Sequence, residues 1–270
     1  MSRPLASSLA ELLAAHDGAL PLDQGAALLA AEEQEGVPAS AVLHALDECA
    51  RGLHIPARAS TVEAVARLNH HLFRTLGFRG DVDDYYAPRN SFLDQVIARR
   101  RGLPIALSVV MIEVGRRAGL DLDSIGFPGH FLVGTRGTDE QPRFYLDPFA
   151  QGDVSTRDDL RARLLHMGMP SDRHEELMGP ISPRRILLRM TYNLKGSYLR
   201  LRQVPEALRQ IERVLLLAPD RHEEHRDRGL LLAESGREAE ALVSLRRYLD
   251  EVPDCDDRDI IGAVVARLES

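Results

Sequence analysis

Apolar residues in the first fifty positions fall at helical spacing. Leu5, Leu9, Leu12 and Leu13 form one stripe, and Leu28, Leu29, Val42, Leu43 and Leu46 continue the i, i+3, i+4 pattern towards Leu53. Breaks at Gly18, Gly36 and Gly52 divide this stretch into two or three short helices. Glu11, His16 and Asp17 interrupt the first stripe, so it reads as an amphipathic helix rather than a secretory leader. A further helix follows Ser60 and Thr61, both suited to capping, with Val62, Val65, Ala66, Leu68 and Leu72 as its buried face and Gly77 as its stop. The stretch GFRGDVDDYYAPRNS then reads as a linker. A short helix is predicted from Ser91 to Arg101, ending at Gly102. The next one, Pro104 to Ala118, opens with proline in its first turn and is apolar on nearly all sides from Ile105 to Ile112, as a core helix should be.

After Gly119 the period changes. Ser124–Phe127, His130–Thr135 and Arg143–Phe149 are short, rich in β-branched and aromatic residues, and separated by turn formers. They predict an antiparallel meander, with RGTDEQP as the connection between the second and third strands. The middle of the chain is therefore α+β, a buried helix against a small sheet.

Beyond Pro183 the pattern is helical again and repeats with an offset of 34. Ala207 matches Ala241, Leu208 matches Leu242, Ile211 matches Leu245, and Pro219-Asp220 coincides with Pro253-Asp254. That period is the tetratricopeptide signature, in which small residues let paired helices approach. Tyr198 and Gly229 fall on consensus positions, whereas Lys195 stands where the first unit should carry glycine. Two units leave apolar ends, so Asp159–Leu165 and Asp259–Leu268 are the expected capping helices. The domain plan is a helical region over 1–58, an α+β domain over 59–170 and repeats over 183–270.

Composition narrows the partners. The net charge of −7 provides no global field for phosphate backbones or anionic lipid, which argues against nucleic acid and membrane surfaces. The longest uncharged apolar run, Leu103 to Ile112, is about half the ~20 residues that span a bilayer. Cys49 and Cys255 are distant and in no zinc spacing, which fits a reducing cytoplasm. No cofactor or metal site is expected. Asp81, Asp83 and Asp84 lack the glycine and distal glutamate of a calcium loop and read as a solvated turn. His222 and His225 are spaced i, i+3 rather than i, i+4 as in metalloprotease helices. Arg99–Arg101 reads as a surface run at a helix end.

The segments PRNSFLDQVIARRRGLPIALSVV, GFPGHFLV and YLDPF, in that order and followed by the repeats, resemble the transglutaminase-like superfamily, and more closely the bacterial SirB family. The resemblance implies a papain-like domain in which a cysteine at the start of a buried helix meets histidine and aspartate on neighbouring strands. By position, His130 matches the base and Asp147 the acid that orients it. Gly102 and Leu103 match the G-x-C pattern, but Pro104 occupies the cysteine position, and proline has neither a nucleophile nor an N–H to hold an oxyanion. Ser108 lies one turn further on and is the alternative nucleophile, although a serine there more often bonds the carbonyl four residues back. Without the resemblance, His130 and Asp147 would read as ordinary turn and strand-end residues. The expectation is a noncatalytic protein that binds a protein or peptide through its repeat groove; the alternative is a hydrolase or acyl transferase using Ser108, or a water activated by His130, with Asp147 as orienter.

Overall fold

A computed structural model describes residues 6–16, 20–34, 36–136 and 143–269, and it divides into two compact units, 1–187 and 188–270. Leu5, the Asp17-Gly18 break and residues 137–142 of the expected hairpin connection lie outside the described residues.

In the first unit, α1 (Leu9–Ala15), α2 (Leu22–Ala31) and α3 (Ala39–Ala50) realise the predicted helical N-terminal region. Helix α4 (Thr61–Asn69) is capped by the Ser60 hydroxyl, which accepts from the Glu63 amide, and continues into a π-helical turn over His70–Thr75. Its buried face is Ala64, Val65 and Leu68, whereas Val62 and Ala66 are exposed. The face is therefore rotated from the predicted one: Ala64 takes the place next to Val65 that the pattern gave to its neighbours.

The stretch expected to be a linker is built. β1 (Arg79–Gly80) pairs in parallel with β2 (Arg101–Gly102), and a 3-10 turn at Pro88–Asn90 leads to α5 (Leu93–Arg99). The predicted helix over 91–101 is thus shorter. Arg100 turns left-handed, with φ of 57°, and releases the chain into β2. Helix α6 (Pro104–Arg117) has proline in its first turn and buries every residue from Pro104 to Gly115. It packs on α3, α5 and a four-stranded antiparallel meander, β3 (Leu122–Ile125), β4 (Leu132–Thr135), β5 (Tyr145–Asp147) and β6 (Asp153–Ser155).

Helix α7 (Arg157–His166) starts with a capping box between Thr156 and Asp159. Its Leu160 and Leu164 join Ile125, Phe127, Leu132, Tyr145 and Met178 in one core. It covers the sheet, so it is not the repeat cap that its position suggested. The short α8 (His174–Leu177) follows.

Helix α9 (Pro183–Arg200) runs into the second unit, where α10 (Val204–Leu217), α11 (Glu223–Glu234), α12 (Glu238–Glu251) and α13 (Arg258–Leu268) pack each on the next. Ala207 and Ala241 are fully buried, and Gly229 lies so close to Leu245 that a Cβ there would sit 2.5 Å from it. This is the close helix approach for which the repeat selects small residues. Lys195 adopts another solution: its ammonium meets Glu224 at 2.6 Å and Asp227 at 2.7 Å across to α11. Ile261 of α13 packs with Leu245 and Tyr248, the capping role expected of that helix. Among the described residues no helix is long and apolar enough to cross a membrane.

Candidate functional site

The site is built at the ends of two strands. Gly129, at φ of 69°, lets the chain turn ahead of β4, and the His130 amide donates to the Phe127 carbonyl at 3.0 Å. At the end of β5 the chain folds back on itself, the Gly152 amide donating to the Asp147 carbonyl at 2.7 Å. Inside that turn, Asp147 Oδ1 accepts from the Phe149 and Ala150 amides at 3.0 and 3.1 Å, which fixes the carboxylate plane. Oδ2 is left to meet His130 Nε2 at 2.6 Å.

A carboxylate only accepts, so Nε2 carries the proton of this bond, and in the neutral ring Nδ1 is then the acceptor nitrogen. Burial raises the Asp147 carboxyl, but the hydrogen bond and charge of His130, with the two turn amides, outweigh it and hold the group below its ordinary value of 3.8. Both side chains are about one-fifth exposed, so the pair is open to solvent at one edge.

The same corner holds the start of α6. Gly80 pairs in register with Gly102, two residues before Pro104. Gly80 also faces the Phe149 ring so closely that a Cβ would sit 2.6 Å from it, and Phe149 is the residue whose amide holds Asp147. Pro104 itself is buried in the first turn, preceded by Leu103, whose amide donates to the Asn90 carbonyl at 2.9 Å. Beyond Phe149 stand Tyr85, ring to ring at 5.9 Å and edge-on, and then Tyr86, at 5.1 Å from Tyr85.

Residues 40–192 match the family described as the transglutaminase-like superfamily, and 194–267 match a tetratricopeptide repeat. The chain belongs to the transglutaminase-like superfamily. A UPF0162 protein of Xylella fastidiosa is 36% identical over 269 residues, covering 96% of this chain and 92% of the relative. A UPF0162 protein of Vibrio cholerae is 30% identical, covering 84% and 79%. Mouse F-box only protein 21 is 32% identical over 133 residues, 47% of this chain and 20% of that protein. No solved structure matches.

Within the transglutaminase-like domain, Ser108 is fully buried, and its hydroxyl makes no hydrogen bond, not even to the Pro104 carbonyl one turn back. Asp81 is not part of a solvated turn: it is buried and takes Arg99 Nη2 at 2.5 Å, while Arg99 Nη1 donates to Asn90 Oδ1 at 2.9 Å. Arg99 therefore clamps the loop that precedes α5 rather than decorating the surface. Burial raises the Asp81 carboxyl, yet Arg99 and the Asp84 amide bring it below its ordinary value. Phe149, Tyr85 and Gly80 are site residues that sequence reading passes over. The one signal for them is the aromatic pair inside a polar linker, since solvated turns rarely carry two adjacent tyrosines.

Proposed function

We propose that the chain is a noncatalytic adaptor of the SirB type, acting in the cytoplasm, in which the transglutaminase-like domain serves as a recognition scaffold and the repeats bind a peptide or helix of a partner protein. The observation that carries this reading is Pro104. The resemblance puts the superfamily's nucleophile at this position, and the residue there is a buried proline at the start of α6, with neither thiol nor N–H to offer. Tetratricopeptide repeats generally mediate protein–protein contacts, and here they follow directly on the domain. The test is affinity capture by the full chain and by a variant with Leu201, Val243 and Ile260, all exposed on the repeat helices or their turns, replaced by serine. A partner retained by the wild type and lost by the variant is the expected result. Equal retention by both, or no specific partner, overturns the repeat assignment.

The intact dyad favours a second reading, hydrolysis by a water that His130 activates and Asp147 orients, with Ser108 as the other nucleophile. The 2.6 Å bond and the open edge supply a base that could meet water. Ser108, buried and without a route to solvent, supports this reading less than water does. Turnover of acyl esters or amides that is lost in His130→Ala would establish it, and labelling by a serine-directed fluorophosphonate that is lost in Ser108→Ala would identify the nucleophile. Silence in both assays overturns it.

A further inference from the structure

β6 is the last strand in the sheet order β3-β4-β5-β6, so one of its sides has no neighbour within the sheet. The register decides which groups point to that side. Across β4 and β5 the Thr135 amide donates to the Phe144 carbonyl at 2.9 Å, with Gly134 opposite Tyr145 and Val133 opposite Leu146. Bonded and non-bonded pairs alternate along an antiparallel ladder, so Leu146 turns its amide and carbonyl to β4, and Tyr145 and Asp147 turn theirs to β6. Val154, opposite Leu146, therefore directs its N–H and C=O away from the sheet, and among the described residues neither meets a partner.

The edge is open at this one residue. On one side the Gly152 carbonyl accepts from Asn69 Nδ2 at 2.8 Å, and on the other the Thr156 amide donates to Asp159 Oδ2 at 2.8 Å. Beside it lies a cleft of about 270 Å³ between α4 and the sheet, lined by Val62, Val65, Ala66, Asn69, Phe144 and Val154 itself. Every lining residue but Asn69 is apolar, and Val62 and Val154 are 61% and 51% exposed.

We infer that a second copy of the chain docks on this edge, the two β6 strands pairing antiparallel about a two-fold axis between their Val154 residues. The reason is self-complementarity. A donor and an acceptor on one residue, pointing the same way, are both satisfied by the same residue of a second copy, which returns the two hydrogen bonds. Residues directly opposite in a sheet share a face, so the two Val154 side chains meet on the cleft face and cover apolar surface of both molecules. The same register sets Asp153 of each copy opposite Ser155 of the other, so each exposed carboxylate meets a hydroxyl donor and not its own twin. A foreign strand would gain the same two main-chain bonds, but would cover one cleft and run past the occupied groups of Gly152 and Thr156. The strand has three residues, so the association is weak and depends on concentration. It rests on neither the dyad nor the repeats and stands apart from both functional readings above.

Sedimentation velocity of the full chain from about 1 to about 500 μM tests the assignment. A monomer–dimer equilibrium is expected, with the Val154 amide exchanging hydrogen more slowly at the high concentration than at the low one. Val154→Pro removes the outward N–H and leaves the bonds between β5 and β6, while Val154→Lys sets two ammonium groups against each other across the axis; each is expected to weaken dimerisation by about tenfold or more. Ser155→Asp, which places carboxylates opposite one another, is expected to weaken it less, with added salt restoring part of the loss. Val154→Lys keeps every backbone group and decides the matter should Val154→Pro fail to fold. A wild type that stays monomeric throughout, a Val154 amide that exchanges equally at both concentrations, or a dimer unchanged in the folded Val154 variants overturns the proposal.

Discussion

The two units treat their buried charges differently. In the repeats, the lone lysine is fully spent: Lys195 is held by Glu224 and Asp227, Arg226 ties Asp227 to Asp257, and Tyr248 donates to Asp257 at 2.7 Å. Every member of that chain of contacts joins one helix to another or to the following turn. In the first unit, Asp81 is likewise closed on Arg99, but the His130–Asp147 pair stands at a strand-end corner with one edge towards solvent, and Asp23 and Glu113 line a cavity. Charges that join one element to another are closed off within the protein, whereas the His130–Asp147 pair keeps an edge open to solvent.

That contrast can be broken most severely at Lys195. In Lys195→Met, the side chain retains its length while Glu224, buried on all sides, loses its counter-charge, and a destabilisation of about 3–5 kcal/mol is expected in chemical denaturation of the repeat unit. A loss below about 1 kcal/mol would show that water reaches this network and that it is no more saturated than the surface.

A smaller effect separates the two edge carboxyls of the first unit by pH. Asp147 has a depressed value in the folded state, so its contribution is fully present above 3.8, its ordinary value, and is lost as pH falls through the depressed one. Glu113 is raised, so its term runs the other way: stability is present below its ordinary value of 4.5 and lost as pH rises through the folded one. Acid titration of stability should therefore flatten in Asp147→Asn and steepen in Glu113→Gln. Identical slopes in the two variants would contradict the assignment.

The smallest effect is expected at an exposed pair with neither role. Arg67 and Glu63, one turn apart on α4 at 3.0 Å, should contribute only about 0.3–0.5 kcal/mol in a double-mutant cycle. A coupling several times larger would mean that the distinction between architectural and surface charge has been drawn in the wrong place.

What the sequence discloses follows the same division. Helices α6 and α9 to α13 are long, periodic and bounded by proline or glycine, so their hydrophobic pattern is sufficient to find them. The strands β1, β2 and β6 span two or three residues each and owe their existence to partners elsewhere in the chain, Arg79 finding Arg101 across 22 positions, which no local period records. Helix α7 is legible as a helix, but its place on the sheet depends on Leu160 and Leu164 meeting Phe127 and Tyr145. His130 and Asp147 are found by resemblance alone. Their 2.6 Å approach comes from two turns and a strand pairing that bring residues 17 positions apart together. Asp81 and Arg99 were hidden for the opposite reason: each is common on surfaces, and only the folded loop shows them buried against each other.

Gly80 is required by a neighbour and not by its own torsion angles. The Phe149 ring occupies the volume in which any side chain at position 80 would begin, so the two positions behave as lock and key. Gly80→Ala should be harmful by itself and rescued when Phe149 is cut back to alanine. Across related sequences, the two sites are expected to drift as a coupled pair, a bulky side chain at one appearing only where the other has shrunk.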